Sequence, residues 1–307
     1  NRVNDMAFDL LGNLYIGGSF SNWADIAAAD HIVMWNGSAY SALSTGLNAL
    51  CDALAVRSGN IVYIGGAFTT AGGVAHNQIV SWNGSAFSAL STGMDGSVTA
   101  LTVDTATGSL YVVGNFNTAG GVAAVHVAIW NGTTFLPLGS GLSASGAPQS
   151  VSISSDKILY VGGSFVSAGS ITLADRVARW NGYAWAHLDV DLPGSPIVYS
   201  VMASKYVDPI VEQQYDLYLG FDTTGTGNFA GLTEVENEGS VPAYPKIIYY
   251  RSGGTSAIIE TLKNERTGKE LLFNYSLLDN ETLIIDLTPT HKSIVSSFFG
   301  DRLDAVL

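Results

Sequence analysis

One segment of this chain occurs four times, and that repetition limits the fold more than any other feature. Leu14-Tyr15-Ile16-Gly17-Gly18-Ser19-Phe20 returns as Val62-Tyr63-Ile64-Gly65-Gly66-Ala67-Phe68. It returns again as Leu110-Tyr111-Val112-Val113-Gly114-Asn115-Phe116 and as Leu159-Tyr160-Val161-Gly162-Gly163-Ser164-Phe165. Two further markers follow in fixed order. Trp-Asn-Gly begins at Trp35, Trp82, Trp130 and Trp180. A closing segment reads Leu43-Ser44-Thr45-Gly46-Leu47, then Leu90 to Met94, Leu138 to Leu142 and, more weakly, Leu188 to Leu192. The period is about 48 residues, in the range of blade-type repeats.

Each period holds four short apolar runs. The first is Val3 to Phe8, echoed by Val98 to Val103 and by Val151 to Ile153. The second is the Leu-Tyr-Ile-Gly-Gly segment, the third runs into the Trp, and the fourth leaves through Ala39-Tyr40 or Ala86-Phe87. Asn-Gly between two apolar runs suits the paired positive φ values of a tight hairpin. The Gly-Gly pairs, and the later Ala71-Gly72-Gly73 and Ala119-Gly120-Gly121, predict bulges or close backbone approach between packed sheets. Four such strands per unit predict an all-β chain built around a β-propeller. The repeats fall at about 1–47, 48–94, 95–142 and 143–192, with a partial fifth at 196–222. That fifth unit offers Ile197 to Val201 and Asp216 to Phe221 without the Trp-Asn-Gly hairpin. The propeller therefore spans 1–225, in about five blades, and closes if strands before Asn1 complete a shared blade. The whole pattern resembles the kelch-like propeller repeats of bacterial and phage surface proteins.

Composition narrows the function. The net charge is −13, and residues 1–192 hold only Arg2, Arg57, Lys157, Arg176 and Arg179 as fixed cations. Phosphate backbones need clustered Lys and Arg, so nucleic acid is excluded as a partner. No apolar run reaches the roughly 18 residues that membrane insertion requires, and the first residues lack a basic-then-apolar signal pattern. The lone Cys51 excludes an internal disulfide and reads as a buried thiol on a strand.

After the repeats the composition shifts. No Glu precedes Glu212, yet eight occur from there on. The boundary falls near Asn228. Strands are predicted at Leu232 to Glu236, Pro245 to Tyr250, Ala257 to Lys263, Glu270 to Tyr275 and Thr282 to Leu287. Their separation by turn signals predicts an antiparallel β-sandwich over 229–307. Asn237-Glu238-Gly239-Ser240-Val241-Pro242-Ala243-Tyr244-Pro245-Lys246-Ile247, Asn264 to Glu270 and Glu281 to Asp286 resemble the C-terminal domain of phage distal tail proteins. That resemblance implies a galectin-like sandwich, incomplete at Leu307. It also implies a propeller inserted between ring-forming and sandwich portions of a longer chain.

No H-E-x-x-H, G-x-S-x-G or P-loop is present, and no two carboxylates pair convincingly as acid and base. The expectation is a protein that is not an enzyme, with no cofactor and no metal site. One positional coincidence suggests binding. His31, Gln78, His126 and Arg176 each stand four residues before a marker Trp, so blade symmetry sets them in one polar ring that offers donors to a sugar or an anion. The alternative is a set of solvent-facing residues where a loop enters its strand. Trp35, Trp82, Trp130 and Trp180 are expected to wedge between blades; Trp23 and Trp185 fall outside the pattern and are expected nearer the surface. The sequons at Asn36, Asn83 and Asn131 coincide with the hairpins and read as turns.

The distal-tail resemblance implies a structural component of a phage tail or tail-like particle, located in the virion. Its partners are other tail proteins and copies of itself in a hexameric or trimeric ring. The propeller then projects as a decoration or as a module binding host-surface glycan. The alternative is a bacterial surface or secreted carbohydrate-binding propeller, extracellular or on the cell; a glycan-acting enzyme is the third reading.

Overall fold

The computed structural model describes residues 2–173, 176–188 and 197–203 with their side chains. It describes the backbone alone of strands at 204–206, 214–222, 246–250, 257–264, 269–277, 282–286, 293–296 and 300–301. The chain divides into two units, Asn1–Lys205 with Tyr215–Asp222, and Tyr206–Gln214 with Thr223–Leu307.

The first unit is a β-propeller. Its first blade is an antiparallel meander of Val3–Phe8, Leu14–Gly18, Ile32–Trp35 and Tyr40–Ala42. The second blade repeats it with Cys51–Arg57, Ile61–Gly66, Ile79–Trp82 and Phe87–Ala89. The third uses Val98–Val103, Leu110–Gly114, Val127–Trp130 and Phe135–Pro137, and the fourth Pro148–Ile153, Leu159–Gly163, Val177–Trp180 and Trp185–His187. The first strand of each blade packs against the first strand of the next, which makes these the inner strands. A two-stranded sheet, Ile197–Tyr206 with Gln214–Asp222, follows as the start of a fifth blade.

The two glycines of the repeated segment do different work. The first lets the next blade's inner strand come close. A Cβ on Gly17 would stand 2.4 Å from Cys51 Sγ, and one on Gly65 would stand 2.5 Å from Val98 Cγ1. The third blade carries Val113 at this position, and the residue across the interface shrinks from Leu54 or Leu101 to Val151 in the same core cluster. The second glycine meets backbone instead: a Cβ on Gly18, Gly66, Gly114 or Gly163 would lie 2.0–2.3 Å from the carbonyl oxygen of Arg2, Leu50, Ser97 or Ala147. No partner can shrink to relieve that contact, so glycine stands there in all four blades. A fully buried Phe closes each segment: Phe20, Phe68, Phe116 and Phe165.

Blades are stitched as well as packed. Leu47, Met94 and Leu142, the last residues of the closing segments, bridge to Ala71, Ala119 and Ala168 of the following blade. The next side chain then caps that blade's loop. Asn48 Oδ1 accepts from the Thr69 and Thr70 amides, and Asp95 Oδ1 from those of Asn117 and Thr118. Ser143 Oγ accepts from the Val166 amide. Between the third and fourth blades, Lys157 pairs with buried Asp104.

Three local expectations need correction. The Asn-Gly turns are four-residue loops with only the glycine at positive φ, as at Gly37. Asn36 Oδ1 holds the loop by accepting from the Ser38 and Ala39 amides, and Asn83 and Asn131 do the same in their blades. Ala-Gly-Gly is the turn of a small extra hairpin, Thr70–Ala71 with Val74–Ala75, whose glycines both have positive φ, as a tight two-residue turn requires. Trp185 is buried: it takes the place of Tyr40, Phe87 and Phe135 against its blade's marker Trp, with Nε1 donating to the Leu138 carbonyl. Trp23 is half-buried against Phe20 and Tyr40. Trp82 and Trp130 are buried, Trp35 and Trp180 half-buried, and Cys51 is fully buried as expected.

In the second unit, Lys246–Tyr250, Thr282–Asp286, Ser293–Ser296 and Gly300–Asp301 form one antiparallel sheet. Ala257–Asn264 pairs with Lys269–Leu277 as a separate hairpin. The strand expected at Leu232 to Glu236 lies outside the described residues.

The glycine pair yields a graded test. Gly65→Ala should lower stability by about 1–3 kcal/mol, because the added methyl overpacks against Val98. Gly66→Ala should cost more, since only backbone movement relieves its contact with Leu50 O. Urea denaturation of the full chain measures both, and equal midpoints for wild type and Gly66→Ala would refute the assignment.

Candidate functional site

Each inner strand carries one residue too many for its ladder. The register skips between Val3 and Asp5, Cys51 and Ala53, Val98 and Ala100, and Pro148 and Ser150. The unpaired residues are Asn4, Asp52, Thr99 and Gln149. A bulge re-aims its side chain, and these four line one open cavity of about 400 Å³ together with Arg2 and Val3. Four repeat-equivalent polar groups thus converge at the inner strands.

Part of this polar set holds the blades together. Asn4 Nδ2 donates to Asp52 Oδ1 at 2.8 Å and to the Cys51 carbonyl at 3.1 Å. Thr99 Oγ1 donates to the Pro148 carbonyl at 2.7 Å. Arg2 Nε donates to Asn4 Oδ1 at 2.7 Å. The rest is free for a ligand. Among the described residues the Gln149 amide has no partner, and the Arg2 guanidinium is engaged only through Nε. The cavity therefore offers one amide, one guanidinium and one carboxylate of offsetting charge. That set suits a polar ligand without a strong net charge.

Burial raises the Asp52 carboxyl above its ordinary value, against the Asn4 hydrogen bond and the Arg2 charge. Burial also raises Asp5, opposed by the Leu54 and Met6 amides that it accepts. Burial pushes the Cys51 thiol well up, helped by Asp5 and Asp52, so it is not a thiolate nucleophile at neutral pH. No cluster of three or more His, Cys, Asp or Glu able to hold a metal ion occurs among the described residues. No helix there is long and apolar enough to cross a membrane.

The four residues of the expected polar ring are equivalent, as their spacing implied, but the structure gives their side chains other partners. All four have positive φ, from 55° at Arg176 to 64° at His31 and His126. Their carbonyls accept from Gly18, Gly66, Gly114 and Gly163, the second glycines of the repeat. That turn folds the side chains back onto backbone. His31 Nδ1 lies 3.1 Å from Gly18 O, Arg176 Nη1 donates to Ser164 O, and the Gln78 amide reaches Met94 O. His126 is buried and its ring meets the Ser143 backbone. Among the described residues His126 Nδ1 and Arg176 Nε keep no hydrogen-bond partner, but both atoms are buried, and none of the four residues lines either cavity.

A second cavity, of about 210 Å³, lies beside His76, Asn77, Ser91 and Thr92. His76 is buried where the other blades carry Ala29, Ala124 and Leu173.

Fold and cavity together define a β-propeller with a polar funnel at its inner strands. No family model matches the chain, and no curated protein matches it. Among solved structures it is similar to YCF48 bound to D1 peptide, at 12% identity over 99% of this chain and 81% of that one, with a TM-score of 0.44. It is similar to the RRP9 WD40 repeats at 14% identity over 70% and 64%, TM-score 0.41. It is also similar to an ancestral GH74 enzyme at 11% identity over 96% and 47%, TM-score 0.47. Likenesses this distant say nothing about ligand or activity.

The raised carboxyls set a pH dependence. A raised folded pKa gives stability that is complete below the unfolded value of 3.8 and is lost as pH rises through the folded value. Asp52→Asn removes that loss and keeps an oxygen for Asn4. The variant should therefore gain stability relative to wild type between pH 3 and 7, roughly the span of such titrations. Urea midpoints at both ends measure it, and a constant difference would show that Asp52 does not titrate as described.

Proposed function

We propose that this chain is a non-enzymatic attachment protein: a structural component of a phage tail or tail-like particle whose propeller binds host-surface glycan through the funnel at its inner strands. The observation that carries the binding reading is the convergence of Asn4, Asp52, Thr99 and Gln149 on one open cavity. A closed core would put apolar residues at those bulges; polar groups there leave hydrogen-bonding capacity facing water. The placement in a tail draws on the kelch-like repeats and on the distal-tail resemblance of residues 229–307.

The mechanism is positional. The C-terminal unit anchors to neighbouring tail proteins and to copies of the same chain, in a hexameric or trimeric ring, while each propeller offers one weak site. Linked copies convert weak contacts into an avidity greater by about 10²–10⁴ when geometry allows several to engage together. Neutral glycans suit a surface with few fixed charges.

Electron microscopy of the full-length protein from its source tests this reading. Rings of three or six copies, or tails carrying knobs at the tip, are expected. Isolated monomers alone would overturn the virion reading. Hydrolysis of a polysaccharide by the purified chain would overturn the non-enzymatic one.

A further inference from the structure

Among the described residues the inner strands are five, and the fifth places a different kind of residue at the register position of the four that line the cavity. The first strand of the partial blade, Ile197–Tyr206, keeps the register of the four before it. Val198 and Val201 fill the space at Gly162, as Val98 and Leu101 fill it at Gly65 and as Cys51 and Leu54 fill it at Gly17. The Val201 amide donates to Ser150 Oγ at 2.8 Å, as the Leu54 amide donates to Asp5 Oδ2 at 2.7 Å. The Ala203 amide donates to Ser152 Oγ one step further on. In that register Tyr199 follows Val198 as Thr99 follows Val98 and Asp52 follows Cys51. It is the fifth member of the set Asn4, Asp52, Thr99, Gln149.

Tyr199 differs from its equivalents in being large and aromatic. It is 51% exposed, and it stacks on no other ring among the described aromatic pairs. The marker aromatics all have ring partners: Trp35 with Tyr40, Trp82 with Phe87, Trp130 with Phe135 and Trp180 with Trp185. The equivalent residue on the neighbouring inner strand is Gln149, which lines the cavity and whose amide has no partner among the described residues.

We infer that Tyr199 is the platform of a subsite for a neutral pyranose: the apolar C–H face of the sugar lies on the phenol ring, and its hydroxyls bond the Gln149 amide and the Asp52 carboxylate. The inference rests on reading the funnel as the binding site. An aromatic wall beside a few fixed polar groups is how small-ligand sites gain both area and orientation. A Tyr supplies that area with few side-chain rotations to lose. The offsetting charges of Arg2 and Asp52 give no preference for an anion, so uronates and sialylated sugars gain nothing over neutral ones.

The test is glycan-array binding by the full chain, followed by titration of the strongest neutral hit into wild type, Tyr199→Ala, Tyr199→Phe and Gln149→Ala. Tyr199→Ala should weaken binding about tenfold or more, the scale of one lost aromatic contact, while Tyr199→Phe stays within about threefold. Gln149→Ala should weaken it too. Unchanged melting of all three variants shows that the loss is at the site. Retained affinity in Tyr199→Ala would overturn the subsite but leave the glycan reading standing. Binding confined to acidic glycans would overturn the neutral-sugar assignment. No binding by the wild type would remove the glycan reading itself.

Discussion

The structure depends on one contact that only glycine permits. In each of the four full blades the second glycine of the repeat lies flat against the carbonyl of the residue just before the inner strand. A methyl group at Gly66 would sit 2.0 Å from Leu50 O. The same carbonyl accepts the amide of the next residue, Ala67, at 3.0 Å. The inner strand thereby carries one residue more than its partner before the ladder resumes. The extra residue is Asp52 here, and Asn4, Thr99 and Gln149 in the other blades. Without the glycine there is no close approach, and without the close approach there is no bulge to turn a polar side chain into the funnel.

The first glycine of the pair serves packing between blades, and its replacement in the third blade shows the difference. Val113 shares its core cluster with Val151, which is smaller than Leu54 or Leu101, so the interface has room for it, although Gly162 also faces a valine, Val201, and stays glycine. A side chain can be traded against another side chain in this way. A backbone carbonyl offers no such trade, and Gly114 remains. The inner strand of the first blade shows the same rule from its unpaired side. With no preceding blade among the described residues, Met6 and Phe8 are 59% and 67% exposed, where Leu54 is 6%.

Much of this fold was legible in the sequence because its markers are backbone requirements. Val3–Phe8, Leu14–Gly18 and Ile32–Trp35 run where the apolar runs predict them, and the second unit's strands from Lys246 to Asp286 match within a residue or two. The two-residue hairpin after Thr70 escaped notice because it is shorter than any periodicity can reveal. Trp185 looked anomalous because a Trp stands where the other blades have Tyr or Phe. The funnel was missed for a more instructive reason. Asn4, Asp52, Thr99 and Gln149 share a position and no residue type, so a search for recurring letters passes over them. A polar residue after the first apolar one of each inner strand was the available signal. His31, Gln78, His126 and Arg176 were found by their distance to the Trp, but sequence spacing carries no information about a left-handed turn that folds them onto backbone.

The most direct test is an experimental electron-density map of the first unit that resolves side chains along the inner strands. The account predicts an unpaired residue at positions 4, 52, 99 and 149, with all four side chains facing one cavity. Inner strands paired without the extra residue, or those side chains turned into the interfaces between blades, would contradict it.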